Sequence, residues 1–115
     1  MTPRSVFGLA CALALGGAAQ AQTLAERCES GAAHGDHRTC AAAVAERPSD
    51  PALRRFYAQS LAKAADYQGA VREYGEVARL SPGDPRAFYE FGSMLAFVRR
   101  YAEAVTPLEE AIRLR

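Results

Sequence analysis

Two cysteines and two histidines lie close together near the start of the chain, at Cys28, His34, His37 and Cys40. Thiolates and imidazoles are zinc ligands, but the spacing C-x5-H-x2-H-x2-C matches no zinc motif known to us. The cysteines could instead form a disulfide or remain free thiols. The chain has no C-x-x-C pair, which argues against catalytic thiol chemistry. We interpret the cysteines as structural and the two histidines as solvated loop residues.

The first 22 residues, MTPRSVFGLACALALGGAAQAQ, help to choose between a disulfide, a zinc site and free thiols. Arg4 gives a positive start, 6–15 is an apolar core, and an A-x-A cleavage signal ends at Ala21. The apolar run is shorter than the ~20 residues that span a bilayer. The pattern predicts a bacterial signal peptide over 1–21, a mature N-terminus at Gln22 and a periplasmic or secreted protein.

Export favours a disulfide between Cys28 and Cys40, because disulfides persist in oxidising compartments outside the cytosol. Zinc binding and free thiols remain alternatives at this point. We expect no metal ion, no cofactor and no membrane insertion after the signal is removed.

The remaining polar residues show no catalytic pattern. The sequence has no Ser/His/Asp order, no glycine-rich phosphate loop and no H-E-x-x-H motif. It carries 14 basic and 13 acidic residues, so it lacks the basic footprint that nucleic acids or anionic membranes require. These features disfavour an enzyme and exclude nucleic acid as an expected partner.

The elements that position these residues are predicted to be helices. Asp50-Pro51 and Asp84-Pro85 stand 34 residues apart, and each dipeptide offers a capping carboxylate followed by a proline suited to the first helical position. The periodicity predicts helices over 51–64, over 67–80, from Pro85 to the turn VRRY, and over 101–114.

Apolar residues at helical spacing mark the predicted core. Those expected to face inward or to supply apolar bulk are Leu53, Tyr57, Leu61, Ala70, Tyr74, Val77, Ala78, Phe88, Phe91, Leu95, Phe97, Ala104, Leu108, Ala111 and Ile112. Those expected to be exposed and charged are Glu73, Glu109, Glu110, Arg54, Arg55, Arg99 and Arg100. Glu109 is predicted to pair with Arg113 at i, i+4.

A 34-residue helix-turn-helix period is typical of the tetratricopeptide repeat. The segments YAQSLAKAADYQGAVREYGEVARLSP and FYEFGSMLAFVRRYAEAVTPLEEAIRLR resemble two successive repeats of that family. The matching positions are small residues at helix contacts, aromatics after the inner turn and a closing proline: Ala58, Ala70, Gly92, Ala104, Tyr67, Tyr101 and Pro82. The departures are Arg54 and Phe88 in place of the family's tryptophan, and Gly75 and Pro107 within helices.

This resemblance implies an all-α fold of helix-turn-helix repeats that form a short right-handed solenoid. The predicted units are a degenerate hairpin over 22–50, containing TLAERCESG and HRTCAAAVAERP, and two repeats over 51–84 and 85–115. The last repeat has no C-terminal capping helix in this sequence, and we expect its apolar side to be open.

The resemblance also implies a protein or peptide partner on the concave face made by the first helices of the repeats. The residues expected on that face are Arg55, Gln59, Lys63, Arg86, Tyr89, Glu90, Ser93 and Phe97. We do not assign the family's carboxylate clamp to this chain, because Glu90 occupies the position where the clamp needs a neutral asparagine. Tyr89 and Phe97 are the expected anchors, since aromatic residues dominate binding hot spots.

Two functions follow as hypotheses. The first is an exported adaptor or scaffold that binds a protein partner in envelope assembly. The second is a structural module without a groove ligand, either a homo-oligomer or a fragment of a longer repeat array. Its association face would include Ile112 and Leu114.

Overall fold

The computed structural model describes residues 21–115, and nearly all of the predicted signal peptide therefore lies outside the described part. Within 21–115 there are six helices and no strands. They are α1 Leu24–Ala32, α2 His37–Glu46, α3 Pro51–Lys63, α4 Tyr67–Leu80, α5 Pro85–Phe97 and α6 Tyr101–Leu114. The predicted all-α fold is confirmed.

Aspartate caps begin most of these helices. The Asp50 carboxylate accepts hydrogen bonds from the N–H groups of Ala52 and Leu53 at 3.0 and 3.3 Å. Asp84 accepts from the N–H of Arg86 at 3.0 Å in the same way. In both helices the next residue is proline. Proline has no backbone N–H, and this costs nothing here because an N–H at the first helical position has no acceptor within the helix. The repeated dipeptide therefore starts α3 and α5 by the same physical means.

The helices pack in consecutive antiparallel pairs, α1 with α2, α3 with α4, and α5 with α6. Each pair also contacts the next one, through α2 on α3 and α4 on α5. Contacts join helices that are one or two places apart in the chain, α1 with α3 included, as in a helical repeat solenoid, where each unit packs on its neighbours. The turns repeat as well, since Ala65 and Arg99, 34 residues apart, both have φ near +65° (64° and 65°).

Small residues allow the paired helices to approach closely. A methyl group placed at Gly92 would lie 2.6 Å from Cγ of Leu108, far closer than two carbon atoms can pack. Ala58, Ala70 and Ala104 are buried in the core, at the positions predicted for helix contacts. Gly75, which the sequence marks as a cost to α4, lies against the ring of Phe91: a methyl group there would be 3.2 Å from Cε1.

Several predicted exposures are wrong. Glu73 is buried rather than exposed, and its carboxylate accepts a compensating hydrogen bond from Arg54 at 2.8 Å. The Arg54 and Arg55 side chains are accordingly only 17% exposed.

Two further predictions about α6 also fail. Arg113 pairs with Glu110 rather than Glu109, since residues three apart also share a helix face. Ile112, predicted to face inward, is 67% exposed, on a face of α6 that no other described helix covers. Phe97, predicted both to supply apolar bulk and to anchor a partner on the concave face, is 63% exposed.

The first hairpin is joined by a disulfide between Cys28 of α1 and Cys40 of α2. Their Cα atoms are 4.5 Å apart, and both residues are completely buried. They form a small core with Ala32, Ala43, Val44 and Leu53, the last of which belongs to α3. The disulfide thus supplies a covalent link where the mostly alanine side chains bury little apolar area.

Candidate functional site

An open groove lies between α3 and α5, with α4 contributing to its floor. It consists of two adjoining cavities of about 290 and 370 Å³ that share Tyr74, Met94 and Phe97. We call it the concave groove and define it by its lining residues: Gln59, Ala62, Lys63, Tyr67, Tyr74, Tyr89, Glu90, Ser93, Met94 and Phe97.

Aromatic side chains dominate the surface of the groove. Tyr89 and Phe97 on α5 are 61% and 63% exposed. The Phe97 ring is supported by the ring of Tyr67, with the centroids 4.9 Å apart and the planes tilted by 59°. Tyr74 on α4 is buried, and this burial, with a smaller contribution from the Glu90 carboxylate, raises the pKa of its phenol. The Tyr74 phenol is therefore neutral at ordinary pH and suits an apolar contact.

The charged residues at the α5 N-terminal side of the groove are engaged with one another. Arg55 on α3 donates from Nε to the Glu90 carboxylate at 2.7 Å and from Nη2 to Asp84 at 3.3 Å. Arg86 adds a weaker ion pair to Glu90 at 3.6 Å. Arg55 therefore bridges α3 to α5, and the negative charge of Glu90 is already compensated within the protein.

The opposite end of the groove holds a free cation. Lys63, in the last turn of α3, is exposed, and no carboxylate among residues 21–115 lies within ion-pair distance of it. Gln59 lines the same cavity one turn earlier on α3. The loop between α1 and α2 lies near the Lys63 stem, since a methyl group placed at Gly35 would lie 3.5 Å from Lys63 Cβ.

The eight residues predicted on the concave face divide into two sets. Six of them line the concave groove: Gln59, Lys63, Tyr89, Glu90, Ser93 and Phe97. Arg55 lines neither cavity and instead holds Glu90. Arg86 lies at a separate cavity, described below.

Sequence reasoning did not assign four lining residues to the groove, namely Ala62, Tyr67, Tyr74 and Met94. Met94 could have been found, because it stands four residues after Glu90 and three before Phe97, on the same helical face. Tyr67 and Tyr74 belong to α4, and their contribution depends on how deeply α4 lies between α3 and α5.

A separate cavity of about 610 Å³ lies on the last helix pair, and we call it the terminal cavity. Its lining residues are Pro85, Arg86, Tyr89, Leu108, Ala111, Ile112 and Arg115. Ile112, predicted at an association face, lines it and is 67% exposed. Leu114 is half-buried and lies outside the lining set.

Comparison with known proteins gives one informative relative. No protein-family model matches the chain. A protein named as TPR repeat-containing, from Picosynechococcus sp., is 40% identical over 65 residues, which cover 54% of this chain and 17% of that protein. The predicted resemblance to the tetratricopeptide repeat family is confirmed. In the repeats predicted over 51–84 and 85–115, α3 and α5 are the first helices, and the concave groove lies between them.

The described residues offer neither a cluster of metal ligands nor a helix that could span a membrane. Across residues 21–115, no three His, Cys, Asp or Glu side chains gather where they could hold a metal ion. The zinc alternative loses its thiolate ligands because Cys28 and Cys40 are bonded to each other. Over the same residues, every helix is too short or too polar to cross a membrane.

Proposed function

We propose that this chain is an exported tetratricopeptide adaptor that binds a segment of a partner protein of the cell envelope along its concave groove. The observation that carries the proposal is the pair of exposed aromatic side chains, Tyr89 and Phe97, on a concave surface. Contiguous exposed apolar surface marks interaction sites, and aromatic anchors supply a large share of binding energy at such sites. A generic role in protein interaction agrees with the relative named for the same repeat.

Export is part of the proposal and has two supports. The first is the signal-peptide pattern over 1–21, with its A-x-A cleavage site. The second is the buried disulfide between Cys28 and Cys40, a bond that persists mainly outside the reducing cytosol. We place the mature protein in the periplasm or outside the cell.

Selection from a phage-displayed random peptide library, with residues 22–115 as bait, tests groove binding. Replacing both anchors, Tyr89→Ala and Phe97→Ala, should weaken the selected peptides by about tenfold or more, as expected when hot-spot side chains are removed. Tyr101→Ala is the matched control, because Tyr101 is 61% exposed on α6 and lines none of the groove cavities. Isothermal titration calorimetry measures the change, and circular dichroism checks that the helices persist.

Two results would contradict groove binding. One is the failure of any selected peptide to bind the soluble protein. The other is equal weakening by the anchor variant and by Tyr101→Ala, which would place the peptide elsewhere on the surface.

Self-association is a second candidate, favoured by the terminal cavity. In the preceding repeat, Val77 and Ala78 are covered by Ala87 and by the aromatic rings of α5. The positions 34 residues later are Ala111 and Ile112, which line the open terminal cavity. A second copy of the chain, seated there, would cover Ile112 as α5 covers Ala78.

Sedimentation velocity over a range of concentrations tests this second candidate. If copies associate, Ile112→Glu combined with Leu114→Glu should shift the protein toward monomer without loss of helical circular dichroism. Val105→Glu is the control, since Val105 is 51% exposed on α6 but does not line the terminal cavity. A wild-type protein that stays monomeric at the highest concentration rules self-association out.

A further inference from the structure

The concave groove has a marked asymmetry of charge. At one end the Glu90 carboxylate is held by Arg55 at 2.7 Å and approached by Arg86 at 3.6 Å. At the other end Lys63 has no carboxylate within ion-pair distance among the described residues. The charge left for a ligand to meet is therefore the ammonium group of Lys63, and a ligand that complements it carries a negative charge.

The neighbours of Lys63 determine which kind of ligand side chain must lie beside the negatively charged group of the ligand. Lys63 and Gln59 line the same cavity as Tyr74, Met94 and Phe97. A ligand side chain that fills this cavity is large and apolar. An extended peptide advances about 3.3 Å per residue, so the ligand carboxylate that meets Lys63 must lie close in sequence to that apolar side chain.

Resting on the proposed function, we infer that the concave groove selects peptide segments in which a large apolar side chain, aromatic or methionine-like, lies within about two residues of an aspartate or glutamate side chain. The apolar side chain packs on Tyr74, Met94 and Phe97. The carboxylate accepts hydrogen bonds from Lys63 Nζ and the Gln59 amide. Basic segments are disfavoured, because Glu90, the one carboxylate among the described residues that line the groove, is already paired.

A side-chain carboxylate fits this end better than a peptide C-terminus. Both donors, Gln59 and Lys63, lie on α3, so they can hold a group projecting sideways from a chain that continues along the groove. A terminal carboxylate on the groove axis would need donors from both walls. At this cavity α5 contributes Met94 and Phe97, which donate no strong hydrogen bond.

The probes are acetylated, amidated peptides of sequence Gly-Ser-Phe-Ser-Glu-Ser-Gly, with partners in which glutamine or lysine replaces the glutamate. Binding to residues 22–115 is followed by NMR titration at low salt. The glutamate peptide should bind about two- to fivefold more tightly than the glutamine peptide, the range of an exposed ion pair. The difference should shrink at high salt.

Charge exchange makes the test specific for Lys63. Lys63→Gln should abolish the difference between the glutamate and glutamine peptides, and Lys63→Glu should prefer the lysine peptide. Arg72→Glu is the matched control: Arg72 is an exposed cation on α4 outside the groove, and its replacement should leave the preference for glutamate unchanged.

The outcomes separate this inference from the proposed function. Equal affinity for glutamate and glutamine peptides that still bind at Tyr89 and Phe97 overturns the inference but not the groove. So does a phage selection enriched in groove-binding peptides without an acidic residue near the apolar one. A peptide with a free C-terminus that binds more tightly than the glutamate peptide shows that a terminal carboxylate is the ligand. Absence of any groove binder refutes the proposed function as well.

Discussion

Arg54 shows how a charged side chain, paired with Glu73, can occupy a position where an aromatic residue is expected. Arg54 stands where tetratricopeptide repeats often carry tryptophan, and its guanidinium donates to the Glu73 carboxylate at 2.8 Å and to the Pro48 carbonyl at 2.9 Å. The aliphatic stem of an arginine covers apolar surface while its head group bonds at the rim. This ion pair joins α3 to α4 and leaves both side chains mostly buried, at 17% and 11% exposed.

The Glu73 carboxylate should therefore contribute to stability. Glu73→Gln keeps the size of the side chain and removes the charge, so Arg54 loses a charge-assisted hydrogen bond, and we expect a loss of about 1–2 kcal/mol in the free energy of unfolding. Urea denaturation followed by circular dichroism measures it. Glu109→Gln, on an exposed side chain, should change stability by no more than about 0.5 kcal/mol. Equal effects of the two variants would show that the ion pair contributes nothing net.

Among the elements, the contact between α5 and α6 depends on a single missing side chain. A methyl group at Gly92 would lie 2.6 Å from Cγ and 2.7 Å from Cδ2 of Leu108, and 3.3 Å from the Ala104 carbonyl oxygen. Leu108 can move only by disturbing the packing of α6 on α5, because it packs against the core that Val71, Leu95 and Ala104 form.

Gly92→Ala should destabilise the protein although alanine favours helix. The helix gains about 1 kcal/mol from the substitution, but overpacking costs about 1–3 kcal/mol, and we expect a net loss of about 1 kcal/mol. Gly83→Ala is the control, because a methyl group there meets nothing within 4 Å. A rise in melting temperature for Gly92→Ala would show that the helices separate without cost.

The α1–α2 hairpin illustrates stabilisation by a covalent link. Its core combines Cys28 and Cys40 with small side chains, and its loop reaches the stem of Lys63 at one end of the concave groove. Loss of the disulfide should therefore loosen this hairpin first, before the repeats that follow it.

Removing both thiols tests this expectation. Cys28→Ala with Cys40→Ala should lower the free energy of unfolding by about 3 kcal/mol, the chain-entropy value for a short closed loop. Hydrogen exchange should accelerate mainly over residues 24–46. Reduced wild-type protein should behave like the double variant. Two freely titratable thiols in the folded, air-exposed wild type would contradict the presence of the bond.

At the scale of the whole molecule, the proposed export depends on the signal-peptide pattern over 1–21. The A-x-A signal predicts that the exported protein begins at Gln22. N-terminal sequencing of protein recovered from the periplasm or the medium should find this residue, in cyclised form if it has become pyroglutamate. Intact protein that retains Met1 would remove the case for export.

The sequence by itself determined the helices and their order. Asp50-Pro51 and Asp84-Pro85 act locally, through a carboxylate that caps the N–H groups just after it, so the starts of α3 and α5 could be predicted without knowledge of the rest of the fold. The 34-residue period and the small residues at helix contacts identified the tetratricopeptide resemblance for the same reason, since each repeat packs mainly on its neighbours.

Only the tertiary structure decided which charges are free and which apolar side chains are exposed. Arg55 and Glu90 are 35 residues apart in sequence, and their pairing depends on how α3 and α5 lie beside each other. Helical periodicity places Ile112 on an apolar stripe of α6 but does not reveal that no described helix covers its side chain. Lys63 becomes the free cation of the groove because the helix packing brings no carboxylate of residues 21–115 to it. Ion pairing and exposure are properties of the space between helices, and helix positions alone do not determine them.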